Sequence, residues 1–169
     1  MCADGATVVT ARLIDARAGT RALGLAATTP GRTDGLNYVA HGAGRWQGEL
    51  RGCGYAKAPL AVGEEWQKLL KRYLSGRQTL RRAFVLIDSR HGIKKVDDEI
   101  MALLDSAAVT FQCVMTKADK VKAKDLDKVM EQVRGALSKH PAAYPEIVMT
   151  SSEKGEGIAT LRSIISGID

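Results

Sequence analysis

Thr116, Lys117, Ala118 and Asp119 stand in a row after an apolar run. Thr150-Ser151-Ser152-Glu153-Lys154-Gly155-Glu156-Gly157 follows a second such run downstream. Both segments precede helix-like stretches, which places them at the carboxyl ends of strands, where open α/β sheets bind ligands. A carboxylate such as Asp119 can accept from two adjacent N–H groups at once. Guanine offers that pair in its ring N–H and exocyclic amine; adenine does not. Backbone N–H groups of a turn at Ser151 and Ser152 can donate to the base carbonyl, and the stem of Lys117 can lie against the ring face. Such a site rejects adenine because its buried polar groups would be left unpaired. A lone Thr-Lys-x-Asp is more often a solvated strand-to-helix turn. The second loop lifts the pair above that reading.

The elements that must hold these loops alternate from about residue 82 onward. Residues 83–87 form a continuous apolar run of the kind buried on both faces of a parallel sheet. A helix carrying Ile100, Leu103 and Leu104 follows, then a strand over 109–115. Leu126, Val129, Met130, Val133 and Leu137, at spacings of three and four, predict another helix. Residues 146–149 read as a strand, and Ile158, Leu161, Ile164 and Ile165 as a closing amphipathic helix. That order is the signature of βαβ units with right-handed crossovers. Upstream, 64–74 predicts a helix with Trp66, Leu69, Leu70 and Tyr73 on one side. Segments 36–40 and 46–50 flank a glycine-rich turn and should pair as a hairpin. Segments 26–35 and 51–59 are turn-rich loops. With no repeat, linker or low-complexity tract, residues 1–169 read as a single α/β domain with a three-layer arrangement and a mostly parallel sheet.

Composition narrows the class. A hydrophobic fraction of 45% and a charged fraction of 26% exclude a disordered or fibrous chain. The net charge of +6 leans toward polyanionic partners without identifying one. Cys2, Cys53 and Cys113 have no metal-finger spacing and read as reduced thiols. No apolar stretch approaches the ~20 residues that span a bilayer, so the expectation is a soluble, cytoplasmic protein. His41, His91 and His140 are too scattered for a metal site and read as surface or loop-capping residues. The lysine-rich run from Lys117 to Lys128, and Arg77, Arg81 and Arg82, are solvated faces or contacts to RNA phosphates. Tyr55 and Lys57 are candidates for contact with a partner.

Six motifs in order carry a family likeness. They are Thr29-Pro30-Gly31-Arg32-Thr33, Gly52-Cys53-Gly54-Tyr55-Ala56-Lys57, Trp66-Gln67-Lys68-Leu69-Leu70, Ile87-Asp88-Ser89-Arg90-His91-Gly92, Thr116 to Asp119, and Ser151 to Gly157. From about Leu13 onward the chain resembles the EngB (YihA/YsxC) family of small P-loop GTPases. The resemblance implies a P-loop GTPase sheet binding GTP or GDP with Mg²⁺ at its carboxyl edge. It also implies a role in assembling the large ribosomal subunit, hence rRNA or a subunit precursor as partner, with a part in cell division and septum formation. A monomer without membrane contact is expected. Within the loop of Gly31, Arg32 and Thr33, Thr33 resembles the threonine that ligates Mg²⁺ and senses the γ-phosphate. Gly52 resembles the glycine of the D-x-x-G motif. Thr116, Lys117, Ala118 and Asp119 resemble the base-specificity segment, and Ser151 and Ser152 the loop that reads the guanine carbonyl. No catalytic residue follows from the likeness.

The chain also departs from that family. A phosphate loop, G-x-x-x-x-G-K-S, should precede Leu13; counting back, Thr10 falls at the lysine position and Ala11 at the serine. Residues 4–11 keep one glycine and place β-branched residues where the turn would be, so they read as a strand rather than an anion nest. Glu49 stands at the aspartate of D-x-x-G and Arg51 at its following proline. The expectation is an N-terminally truncated G domain with residues 1–12 atypical, nucleotide and Mg²⁺ binding weakened or lost, and turnover near zero. Three alternatives stay open: an active GTPase, a nucleotide-independent rRNA-binding module, and an unselected fragment.

Overall fold

The computed structural model describes residues 37–41, 45–49, 72, 74 and 80–168. Two short strands, β1 (Asn37–His41) and β2 (Arg45–Glu49), pair antiparallel, with Asn37 opposite Glu49 and His41 opposite Arg45. This is the hairpin expected from the glycine-rich turn, displaced by one residue in each arm. The expected helix over 64–74 lies mostly outside the described residues; Arg72 and Leu74 are helical, and Leu74 is buried.

The rest forms an α/β unit. Strands β3 (Ala83–Asp88), β4 (Phe111–Thr116) and β5 (Val148–Met149) make a parallel sheet in that order. Helices α1 (Lys95–Ser106), α2 (Ala123–Leu137) and α3 (Ile158–Ser166) follow them in turn. Strand periodicity sorts the side chains into two layers. Val85, Ile87, Phe111, Cys113 and Met115 pack with Met101 and Leu104 of α1 and Val133 and Leu137 of α2. Leu86, Val114 and Val148, from the other sheet face, pack with Ile158 and Leu161 of α3. The expected three-layer α/β architecture with a parallel sheet is therefore observed. Burying these two layers away from water is the main drive to fold the segment.

The strand ends differ from the sequence expectations for local reasons. β4 starts at Phe111 rather than residue 109, because Val109 N–H still closes α1 on the Leu104 carbonyl and Ala108 has a left-handed φ of 51°. β5 shrinks to Val148–Met149, because the chain before it is held by other bonds. Gln112 Nε2 donates to the Glu146 carbonyl at 3.0 Å, and Ala143 bridges to Phe111. α1 begins where the Asp97 carboxylate accepts the Lys94 N–H at 2.9 Å, satisfying a donor at the helix start. Its inward face includes Met101, fully buried, which the expected set of Ile100, Leu103 and Leu104 omitted.

Two polar clusters join parts of the chain that are distant in sequence. Gln112, buried in β4, accepts from Arg82 Nη1 at 3.0 Å, and the Arg82 guanidinium lies 4.1 Å from the Tyr144 ring centroid. Arg82 is therefore a packing residue, which corrects its reading as a solvated or RNA-contacting arginine. His140 is buried too: Nδ1 lies 2.6 Å from Asp105 Oδ2, and Nε2 lies 3.2 Å from Asp98 Oδ1. Asp105 Oδ1 also accepts the Ala142 N–H at 2.9 Å, so α1 is fastened to the chain after α2. The surface reading of histidine fails at this position and holds at His91, which is exposed.

Gly157, at the entry to α3, has φ of +69°, and a Cβ there would stand 1.8 Å from the Met149 carbonyl oxygen. Gly155 has a similar φ of +74° but open space around it. Gly155→Ala should therefore cost about 1–2 kcal/mol, the left-handed penalty alone. Gly157→Ala should cost about 3 kcal/mol or more, because the backbone itself must move. Urea unfolding of the two variants checks the ordering, and equal costs would contradict it.

Candidate functional site

The carboxyl ends of β3, β4 and β5 stand level because the register pairs Asp88 with Thr116 and Met115 with Met149. Three loops therefore meet at one sheet edge: 88–92, 116–120 and 150–157. Thr116 closes β4 and ties it to β3, its Oγ1 donating to the Ile87 carbonyl at 3.2 Å. Thr150 does the same between β5 and β4, donating from N and Oγ1 to the Met115 carbonyl at 2.7 and 2.9 Å. Ala118 N–H then donates to the Thr150 carbonyl at 3.1 Å, pinning the second loop to the third.

Between those anchors Lys117 takes a left-handed conformation, φ 57° and ψ 36°, uncommon for a residue with a side chain. Ala118 to Lys120 then form one 3₁₀ turn, which presents Asp119 toward the Ser151 loop. The Asp119 side chain is only 4% exposed. Ser151 Oγ donates to its Oδ1 at 2.6 Å, and Lys120 Nζ sits 3.0 Å from Oδ2. The Ser151 hydroxyl foremost, helped by Lys120, holds the Asp119 carboxyl below its ordinary range against the opposing effect of burial. Asp119 is thus an ionised acceptor with a fixed plane. A carboxylate offers about four acceptor sites, more than these two contacts use.

The Ser151 loop is built around that contact. Ser151 is fully buried; its N–H donates to the Glu156 carbonyl at 2.9 Å, and its Oγ accepts from Lys154 N–H at 3.1 Å. Its amide is therefore committed within the loop, and its hydroxyl serves Asp119. Ser152, half-buried, comes next along the turn.

On the other side of β4, Lys117 Nζ reaches back to Asp88 Oδ2 at 2.9 Å. Arg90 grips the same carboxylate: N and Nε donate to Oδ1 at 3.0 and 2.9 Å, and Nη2 donates to Oδ2 at 2.7 Å. Burial alone would push the Asp88 carboxyl up, but the bonds from Arg90 and Lys117 outweigh it and hold it far below its ordinary range. The motif containing Asp88 was visible in the sequence, but its link to Lys117 was not.

Of the sequence-predicted site residues, the structure brings Thr116, Lys117, Ala118, Asp119, Ser151 and Ser152 to one edge. Gly31, Arg32, Thr33 and Gly52 lie outside the described residues, as do Tyr55, Lys57 and Arg77. Glu49 is the last residue of β2. Among the described residues no group of three or more His, Cys, Asp or Glu side chains could hold a metal ion. Among the same residues no helix is long and apolar enough to cross a membrane.

The family model for the elongation factor Tu GTP binding domain matches residues 69–168. A probable GTP-binding protein EngB from Ruegeria sp. (strain TM1040) is 69% identical over 157 residues, spanning 93% of this chain and 73% of that protein. The protein of the same name from Rhizobium meliloti (strain 1021) is 48% identical over 162 residues, spanning 90% and 75%. A crystal structure of a probable GTP-binding protein EngB superposes with a TM-score of 0.73 at 17% identity, covering 95% of this chain and 92% of that one. The bacterial selenocysteine-specific elongation factor EF-Sec gives 0.65 at 20% identity, covering 94% and 26%. At those identities the two structures speak to fold.

The acid limb of stability tests the electrostatics of this edge. A carboxyl whose folded pKa lies below its ordinary value of 3.8 contributes stability that is full above that value. The contribution disappears as pH falls toward the folded value. Asp88 and Asp119 both act in this sense; Asp97, whose carboxyl burial pushes up, acts in the opposite one. Urea midpoints should therefore fall between about pH 5 and pH 3, and Asp88→Asn should flatten that fall. An unchanged slope in the variant would contradict the assignment.

Proposed function

We propose that this chain, which belongs to the EngB family of GTP-binding proteins, recognises guanine nucleotides chiefly through the base and holds their phosphates poorly. The observation that carries the reading is the Asp119 carboxylate, ionised and fixed by Ser151 at the carboxyl edge of the sheet. Its oxygens accept the ring N–H and the exocyclic amine of guanine. The Ser151 amide is committed to Glu156, so donation to the base carbonyl falls to the next amide, that of Ser152. The stem of Lys117 supports the ring face. Thr116 and Ala118 hold the loop in place.

The phosphate half rests on sequence. Residues 4–11 contain one glycine and no lysine, so they lack the parts of an anion nest with a cationic tip. Charge-assisted hydrogen bonds contribute about 1.5–3 kcal/mol each. Losing the lysine contact and part of the nest weakens binding by roughly 4–6 kcal/mol, or about three to four decades. Gly31, Arg32 and Gly52 remain as candidates for backbone contact to phosphate. Mg²⁺ would be held by Thr33, with Glu49 as a further oxygen donor, and would supply charge neutralisation at the phosphates. Both supply the hard oxygen donors that Mg²⁺ prefers. Hydrolysis suffers more than binding, because phosphoryl transfer depends on positioning and charge stabilisation around the transferring group. The whole chain acts as one G domain.

By family, the cellular role is assistance to large ribosomal subunit assembly in the cytoplasm, with rRNA or a subunit precursor as partner.

Titration of fluorescent GDP and GTP against the 169-residue chain tests this. Binding is expected at micromolar or weaker concentrations, abolished in Asp119→Asn, with GTP turnover at background. Ordinary GTPase turnover would overturn the phosphate half of the reading, and binding indifferent to Asp119→Asn the base half. Ser151→Ala, which frees the carboxylate plane, should weaken GDP by about 5- to 30-fold, the worth of roughly 1–2 kcal/mol in a buried hydrogen bond.

A further inference from the structure

Asp88 carries more bonds than a strand-ending turn requires. The turn itself is closed by His91 and Gly92 N–H groups donating to the Asp88 carbonyl at 3.0 Å, which leaves the side chain out of the backbone's needs. That side chain is buried and takes the planar fork of Arg90, which fixes the tilt of the carboxylate. Lys117 meets Oδ2 at 2.9 Å from across the sheet. Because Asp88 is paired in register with Thr116, the Lys117 stem must run from the end of β4 to the end of β3 to make that contact. Asp119 and Ser151 lie on the opposite side of Lys117, toward β5. The sheet edge is thus ordered as clamp, stem, carboxylate.

We propose that Asp88, clamped by Arg90, is a positioning residue that holds the Lys117 stem across the sheet edge as a preformed floor for the purine ring. The inference rests on the reading that Asp119 and Lys117 bind guanine, and it extends that site to a residue that touches no ligand. A lysine stem is rich in rotamers, and a ligand that had to order it would bind more weakly. Anchoring Nζ at Asp88 orders the stem before any nucleotide arrives. The left-handed backbone of Lys117 agrees with this, since such a conformation persists where its surroundings over-determine it. The floor touches any purine alike, whereas Asp119 alone senses the exocyclic amine that inosine lacks. Asp88 therefore governs affinity and leaves the preference for guanine over hypoxanthine intact.

A double-mutant cycle tests the proposal with fluorescent GDP and IDP on the full chain, using Asp88→Asn, Lys117→Met and the double variant. Each single substitution should weaken both nucleotides by about tenfold with the GDP-to-IDP ratio unchanged, and the double variant should bind no more weakly than Lys117→Met alone. Effects that multiply in the double variant, native affinity in Asp88→Asn, or a collapsed ratio would overturn it. Should Asp88→Asn fail to fold, Asp88→Glu keeps the charge but moves the carboxylate by one methylene, and is judged by the same ratio and the same cycle. Absence of GDP binding by the native chain would overturn this inference together with the proposed function. Native binding that Asp119→Asn abolishes, combined with multiplying effects at Asp88 and Lys117, would overturn the inference alone.

Discussion

Everything described at the sheet edge depends on the register of β4. All six residues from Phe111 to Thr116 are buried, and the strand is hydrogen-bonded to β3 on one side and β5 on the other. A slip by one residue would turn Phe111, Cys113 and Met115 away from α1 and α2 and into the layer held by α3. It would also move Thr116 off Asp88 and dismantle the meeting of the three loops. A purely apolar strand resists slippage only through shape. Here Gln112 adds a polar lock, since its amide bonds Arg82 Nη1 on one flank and the Glu146 carbonyl on the other. Removing such a buried group from its partners leaves them unsatisfied, a penalty of about 1–3 kcal/mol that a slipped register would incur.

How much of this was legible in the sequence follows from the range of each interaction. The order of strands and helices rests on periodicity, a local property, and β3, α1, β4, α2 and α3 all appear where the apolar pattern put them. The ends of β4 and β5 were misjudged because non-local bonds decide them: Val109 belongs to the helix before it, and Glu146 is held by Gln112. His140 and Arg82 were read as surface residues because their charge type suggests it. Each packs against partners far away in sequence, the buried His140 against Asp98 and Asp105, the half-buried Arg82 against Gln112 and Tyr144. Nothing in a linear pattern signals such pairings. That the residues proposed to read the base share one sheet edge was legible, because both of their loops follow strand ends that the apolar pattern marks. The tie between Asp88 and Lys117 was not, because it spans two strands and exists only once they are in register.

The candidate site also separates two tasks that nucleotide binding usually merges. On the proposed reading, the base meets a rigid acceptor and a flat support, and both come from loops pinned directly to neighbouring strands. Holding phosphates needs a nest of amides and a cation, which must come from other segments of the chain. The phosphate contribution to affinity and the preference for guanine are then separable. A chain can keep a preference for guanine while losing its phosphate contacts, because the carboxylate that accepts from guanine is not among the donors that answer the phosphate charge.

Cys113 lies at the centre of β4 with no exposed surface, and burial pushes its thiol up to about 12. A thiol in that state offers almost no thiolate and no approach to a reagent while the sheet is intact. Its chemical modification therefore requires the central strand to come apart. The rate at which Cys113 is labelled is a built-in clock for opening of the whole α/β unit, distinct from motions confined to the loops at its edge.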